Sequence, residues 1–247
     1  MLHCKWPPLA LAPMIVLIGA CTHVPVPPAI PPVVAGQTLP PGAKPAGSVD
    51  FRIDTEHSEL RVLVYRGGAL AKLGHNHVIQ SHGLSGWIRA AGTSKDSSFY
   101  LQLMPADFQI DQPAARAEEG ADFAEEVDDT ARAGTRRNML GGALLDADRY
   151  PLILIQSVRL EGEGPLIAGA RMATVRITIA GHTREVSAPF SFEGPPESLH
   201  VTADFRLAQS ALGLTPFNAL MGGLQVEDEM HMKLDIRAIS DQSAGAG

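Results

Sequence analysis

The chain is short of cysteine, of aromatic rings and of basic charge, and each shortage removes a class of function. Its two cysteines, Cys4 and Cys21, both precede the body of the chain, so the folded part holds neither an internal disulfide nor a thiolate metal site. A metal ion there would depend on His, Asp or Glu. Aromatic residues are 5% of the 247, too few for the stacking platforms that hold single-stranded nucleic acid. Twenty lysines and arginines face 27 acidic residues, a net charge of −7 with the nine histidines neutral, so the basic face of a nucleic-acid binder is missing. Neither a phosphate-cradling glycine loop nor a dinucleotide fingerprint occurs. What is present is hydrophobic: 45% of the residues against 19% charged, which excludes disorder throughout and requires a packed core.

The two ends differ from the middle. Leu9 to Ala20 is apolar and follows Lys5, yet it is shorter than the roughly 20 residues that cross a bilayer as a helix. Residues 1–20 therefore read as a signal peptide. Its last residues, Ile18-Gly19-Ala20-Cys21, resemble a bacterial lipoprotein signal. That resemblance implies that Cys21 is lipidated and becomes the mature N-terminus, a membrane anchor. Thr22 rather than Asp follows the cysteine, which among such lipoproteins implies the outer membrane of the bacterial cell envelope, with the body facing the periplasm. Residues 21–48 are rich in proline and nearly uncharged; they read as an extended spacer, reaching at most roughly 80 Å at about 3.1 Å per residue. Residues 241–247 are small and polar and read as a disordered tail.

Between them, residues 49–240 alternate. Val226, Met230, Met232, Leu234 and Ile236 share one parity, and Glu227, Glu229, His231, Lys233, Asp235 and Arg237 the other, the period of a half-buried strand. Leu199, Val201, Ala203, Phe205 and Leu207 alternate with His200, Thr202, Asp204 and Arg206 in the same way, and Leu60, Val62 and Val64 begin an earlier strand. Further runs cover 99–104, 152–160, 170–180 and 186–193, separated by Gly- and Pro-containing turns. About eight strands with short connections predict an all-β antiparallel fold. Closure into a barrel removes the edges and makes the oily face an interior; a two-sheet sandwich would alternate in the same manner. An eight-stranded barrel has room for its own side chains or for one small ligand.

One stretch breaks the alternation. Residues 114–145 are rich in Ala and Glu, with Phe123, Val127, Leu140 and Leu144 at helical spacing, which predicts a helical insertion on the surface. Its acidic residues, Glu118 to Asp129, read as a solvated face. A second short helix is predicted from Thr215, with Pro216 in its first turn and Gly222 at its end.

Four segments, in this order, resemble the YceI-like family of lipocalin-like bacterial proteins associated with polyisoprenoid binding. They are Phe51-Arg-Ile-Asp-Thr-Glu-His-Ser58, Asn138-Met-Leu140 leading to Tyr150-Pro151, Val175-Arg-Ile-Thr-Ile-Ala-Gly-His-Thr183, and Phe205 through Gly213. The resemblance implies a lipocalin-like barrel over residues 49–240 whose apolar lumen takes an isoprenoid-type lipid or quinone, with no enzymatic chemistry required. The chain departs from the family at Leu73-Gly-His-Asn-His-Val78, where paired histidines are not the rule.

Lumen energetics agree with a long tail. At about 0.8 kcal/mol per buried methylene, an isoprene unit contributes roughly 3–4 kcal/mol, whereas association costs about 4–15 kcal/mol. Several units are needed. Candidate contacts on the inward parity are Leu60, Val62, Val64, Phe190, Leu199, Val201, Phe205, Met230, Met232 and Leu234, with Arg66, Arg136 and Arg137 as candidates to meet a negative or quinone-like head. His75 and His77 stand two apart, so on a strand both rings leave one face and could hold zinc or copper, with His57 or His82 as a third ligand. The plainer reading is that they hydrogen-bond within the turn or rim of the mouth. Three functions follow: a lipid-binding protein that is not an enzyme, a metal-binding protein or enzyme built on His75 and His77, and a structural protein that docks partners through an apolar stripe at Phe123 and Val127.

Overall fold

The structure is a computed structural model that describes residues 42–164, 168–195 and 197–241. The expected signal peptide, Cys21, most of the spacer and residues 242–247 lie outside the described residues. The strand segments are β1 (Val49–Ile53), β2 (Glu59–Gly67), β3 (His77–Ser81), β4 (Ser85–Ala90), β5 (Ser98–Leu103), β6 (Gln109–Ile110), β7 (Ile153–Leu160), β8 (Ala168–Ile179), β9 (His182–Glu193), β10 (Ser198–Ala208), β11 (Asn218–Ala219) and β12 (Leu224–Ser240). Two helices, α1 (Pro113–Glu118) and α2 (Asp129–Leu140), lie between β6 and β7.

The pairings combine these segments into eight antiparallel staves. β1 and β2 form one stave broken by a 3₁₀ turn at Thr55–His57, because β1 pairs β4 while β2 pairs β3. β3 and β4 form a second, and β5 and β6 a third that is broken at Pro105–Asp107. The path then runs β7, β8, β9, β10 and β12, and β12 returns to β2 and β1 through Leu234↔Leu60 and Phe51↔Ser240. The sheet closes on itself, so the sandwich alternative falls. Alternation does the work: Met230, Leu234, Ile236 and Ala238 of β12 are buried while Glu229, Asp235 and Arg237 are exposed. The β8–β9 hairpin turns on Ala180-Gly181, both at positive φ, the two-residue geometry that matches strand twist.

Closure is incomplete along one seam. β9 and β10 pair only from His200↔Glu193 to Thr202↔Ser191 and then diverge. Pro189, which has no N–H to give a ladder, lies two residues beyond the last pair. The chain after β10 packs against the far end of β9, where a Cβ on Gly213 would approach the His182 ring at 2.9 Å.

Two expectations need correction. Phe123 and Val127 are not an exposed stripe; both are buried, and Phe123 packs with Leu63, Val78 and Ala115 on the outer face of the barrel wall. The insertion is fastened there by charge: Arg61 of β2 binds Glu118 and Glu119 at 2.8 Å each, and Lys233 of β12 also binds Glu119. No helix starts at Thr215. Asn218 instead pairs Gln225 in the short β11–β12 ladder, and its Oδ1 accepts from Gly222 N, which turns the chain back. Local ladder and turn bonds outcompete the helix signal. Residues 42–48, assigned by composition to the spacer, lie against the barrel, where the buried Arg89 donates to the carbonyls of Gly42 and Ala43 and pairs with Asp50. Among the described residues no helix is long and apolar enough to cross a membrane.

Gly86 of β4 takes φ +143°, and a Cβ there would meet Tyr100 O of β5 at 2.0 Å. Gly86→Ala should cost at least about 2–3 kcal/mol, since both strain and clash fall on rigid backbone. Urea unfolding checks it; a loss under about 1 kcal/mol would mean that β4 and β5 do not approach this closely.

Candidate functional site

The barrel interior has two unlike halves. In one, Phe51 and Ile53 of β1, Ile88 of β4, Phe99 of β5, Phe190 and Phe192 of β9 and Leu199, Val201 and Ala203 of β10 are buried in a single core cluster, and the Phe99 and Phe190 rings lie 5.7 Å apart. Rings fill that end. In the other half smaller aliphatic side chains leave a cavity of about 460 Å³, within the range of small-ligand sites. Its wall is Leu60, Val62 and Val64 of β2, Ile79 of β3, Leu103 of β5, Ile153 and Ile155 of β7, Ile177 and Ile179 of β8, Leu207 of β10 and Val226, Met230 and Met232 of β12.

Three segments cover the mouth. α2 contributes Ala131, Gly134 and Thr135, whose small size lets the helix lie close over the opening, together with Asn138 and Met139; the β2–β3 connection brings Leu73, Gly74 and His75; the β10–β12 connection brings Leu212, Leu214 and Phe217. Asp128 caps α2 by accepting from Ala131 N at 2.7 Å. Leu73 and Phe217 are 69% and 38% exposed while lining the cavity, so the rim is oily on its solvent side too.

Of the contacts expected from parity, Leu60, Val62, Val64, Met230 and Met232 line this cavity. Phe190, Leu199, Val201 and Leu234 face the interior but lie in the filled half, and Phe205 packs against the core without lining the cavity. Parity gives the face of a residue and not its height along a stave. Arg66 lines the mouth, pairing with Glu125 at 3.1 Å. Arg136 does not: its guanidinium donates to the carbonyls of Ala106 and Phe108, bracing the β5–β6 turn. Arg137 is likewise outside the lining.

His75 and His77 both line the cavity, rings 6.1 Å apart and nearly perpendicular. His57 and His82 are elsewhere, bonded to Asp54 and to the Ser58 carbonyl beside a separate outer groove, so neither supplies a third ligand. Among the described residues no group of three His, Cys, Asp or Glu side chains is placed to hold a metal ion. His77 Nδ1 instead lies 2.6 Å from Asp111 Oδ2. Asp111, fully buried at φ +50°, also accepts from Val78 N at 2.8 Å and from Arg116 Nη1 at 2.6 Å. Arg116, buried as well, donates further to the carbonyls of Asn76 and Glu125. This Asp111–Arg116 pair stands behind the histidine and fixes its ring.

Burial alone would raise the Asp111 pKa, but the bonds from His77, Val78 N–H and Arg116 outweigh it and hold the carboxyl below its usual range. Glu119 is lowered in the same way, Lys233 and Arg61 overcoming burial, and Asp50 is lowered chiefly by its bond from Arg89. A carboxylate with a depressed folded-state pKa contributes stability that is complete above its unfolded value and is lost as pH falls through the folded one. Ordinary values are 3.8 for Asp and 4.5 for Glu, so stability should be level above about pH 5 and fall steadily in more acid solution. Urea midpoints against pH check this; Asp111→Asn should flatten the slope, and an unchanged slope would remove Asp111 from the account.

A family model for the YceI-like domain matches residues 51–238. No curated protein matches. Among solved structures, a polyisoprenoid binding domain of Saccharophagus degradans is similar at TM-score 0.50 and 10% identity, over 78% of this chain and 99% of that one. BcnA of Burkholderia cenocepacia gives TM-score 0.49 and 14% identity, over 75% and 98% of the two chains. A YceI protein of Campylobacter jejuni gives 0.43 and 11%, over 63% and 80%. The family match runs from within β1 to within β12, so it takes in every stave of the closed barrel, the covered cavity and the histidine loop alike: the chain belongs to the YceI-like family.

Proposed function

We propose that this protein binds a polyisoprenoid-type lipid, tail in the barrel cavity and head at the covered mouth, while Cys21 anchors the chain to the outer membrane with the barrel in the periplasm. The observation that carries the reading is the cavity itself: about 460 Å³ walled by Leu, Ile, Val and Met on seven staves. Such a wall offers a flexible hydrocarbon chain burial and almost no directional contact. The exposed faces of Leu73 and Phe217 at the rim let a tail enter without crossing a polar collar. The name of the Saccharophagus degradans relative fits this reading. The aliphatic lining of the cavity supports a role in binding.

Protein purified from its own envelope and extracted into organic solvent should release an isoprenoid lipid or quinone at close to one per chain by mass spectrometry. Recovery of phospholipid alone, in detergent-dependent amount, would sink the proposal.

A further inference from the structure

We propose that the head of the bound lipid is a hydroxyl, as in an isoprenoid alcohol or a hydroquinone, and that it donates its hydrogen bond to His77 Nε2. The inference rests on the lipid-binding reading above and specifies its polar end. It follows from proton placement. Asp111 is fully buried, bonded to Arg116 and Val78 N–H, and held ionised. An ionised carboxylate accepts only, so the proton in the 2.6 Å contact sits on His77 Nδ1. With its proton fixed on Nδ1 by the carboxylate, the imidazole form of the ring is the Nδ1–H tautomer, whose Nε2 carries the lone pair. Among the described residues nothing bonds that nitrogen, and the ring lines the cavity. A buried carboxylate with an arginine behind it is a costly way to orient a surface histidine; it is an effective way to fix one acceptor at the mouth, where Arg66, His75, Thr135, Asn138, Gln209 and Gln225 are the other polar residues of the lining. An acceptor selects a donor, and of the heads a polyisoprenoid carries, an alcohol or hydroquinone has one whereas an ether, ester or oxidised quinone has none.

The test uses the full chain in detergent, with farnesol, farnesyl methyl ether and farnesyl acetate competing against a fluorescent isoprenoid probe. Farnesol should bind about tenfold more tightly than the ether or the acetate. His77→Phe should bring that ratio to about one. So should Asp111→Asn, by another route: its Oδ1 keeps Val78 and Arg116 while its Nδ2 donates to His77 Nδ1, which moves the ring proton to Nε2. An unfolded chain would take up all three compounds alike, so the ratio is read in variants that unfold cooperatively in urea and still bind the fluorescent probe at one per chain. In the wild type, the Nε2 nitrogen resonance of His77 should shift on adding farnesol and stay on adding the ether. Equal binding of all three by the wild type overturns the hydroxyl head and leaves the lipid cavity standing. Binding of none, probe included, overturns both.

Discussion

Asp111→Ala should lower the unfolding free energy by about 3–5 kcal/mol, the range found when one partner of a buried ion pair is removed and the other left behind. The stranded partner is Arg116, 5% exposed, which would keep only the carbonyls of Asn76 and Glu125. Val78 N–H, in a fully buried residue, would lose its acceptor as well. For a domain of this size a kcal/mol is about 2–4 °C, so Tm should drop on the order of 10 °C. Asp111→Asn preserves the shape and tolerates the positive φ, and should recover at least half of the loss. If Asp111→Ala unfolds within about 1 kcal/mol of wild type in urea, the Asp111–Arg116 pair is not buried as described, and the fixed tautomer of His77 loses its support.

The contrast between that carboxylate and the histidines shows what was legible in the chain. His75 and His77 declare themselves by spacing, and their shared parity with Ile79 already puts them on one face. Asp111 does not. It touches His77 across 34 residues of sequence, after a two-residue strand and before a helix six residues long, and no periodic pattern marks such a position. The same limit appears in the lumen. Period-two alternation gives the inward faces of β10 and of β12 from Met230 to Ala238 correctly and supports closure, because those stretches are oily throughout, whereas Asp228 interrupts the parity of β12 where its register against β2 shifts. Where the interior is hollow depends on which side chains face one another across the barrel, the rings of Phe99 and Phe190 at one end and smaller residues such as Ile155 and Val62 around the cavity at the other, and that is decided by stagger between staves. The helix predicted at Thr215 failed for a related reason. Thr, Pro and Gly suit the cap, first turn and stop of a helix, yet residues of the same kind also build the turn that Asn218 and Gly222 close.

The hollow and the filled half make opposite predictions for one kind of substitution. Val62 sits at mid-wall, paired across β2, β3 and β12 with Ile79 and Met232, all three on the cavity. Val62→Trp adds bulk into open space, so the fold should change by less than about 1 kcal/mol. Occupying the room of a single isoprene unit forfeits roughly 3–4 kcal/mol of tail burial, so affinity for an isoprenoid probe should fall by about two to three decades. Ala173 of β8 is fully buried in the filled half. There Ala173→Leu must displace close-packed neighbours, which costs about 1–3 kcal/mol, while binding should stay within about twofold. Urea unfolding and probe titration on the two variants read all four numbers. A Val62→Trp protein that binds like wild type would move the ligand out of the barrel; one that unfolds as readily as Ala173→Leu would mean that the mid-barrel is packed. The crossed pattern, binding lost without stability in one variant and stability lost without binding in the other, is what a lipid site confined to one half of a closed barrel requires.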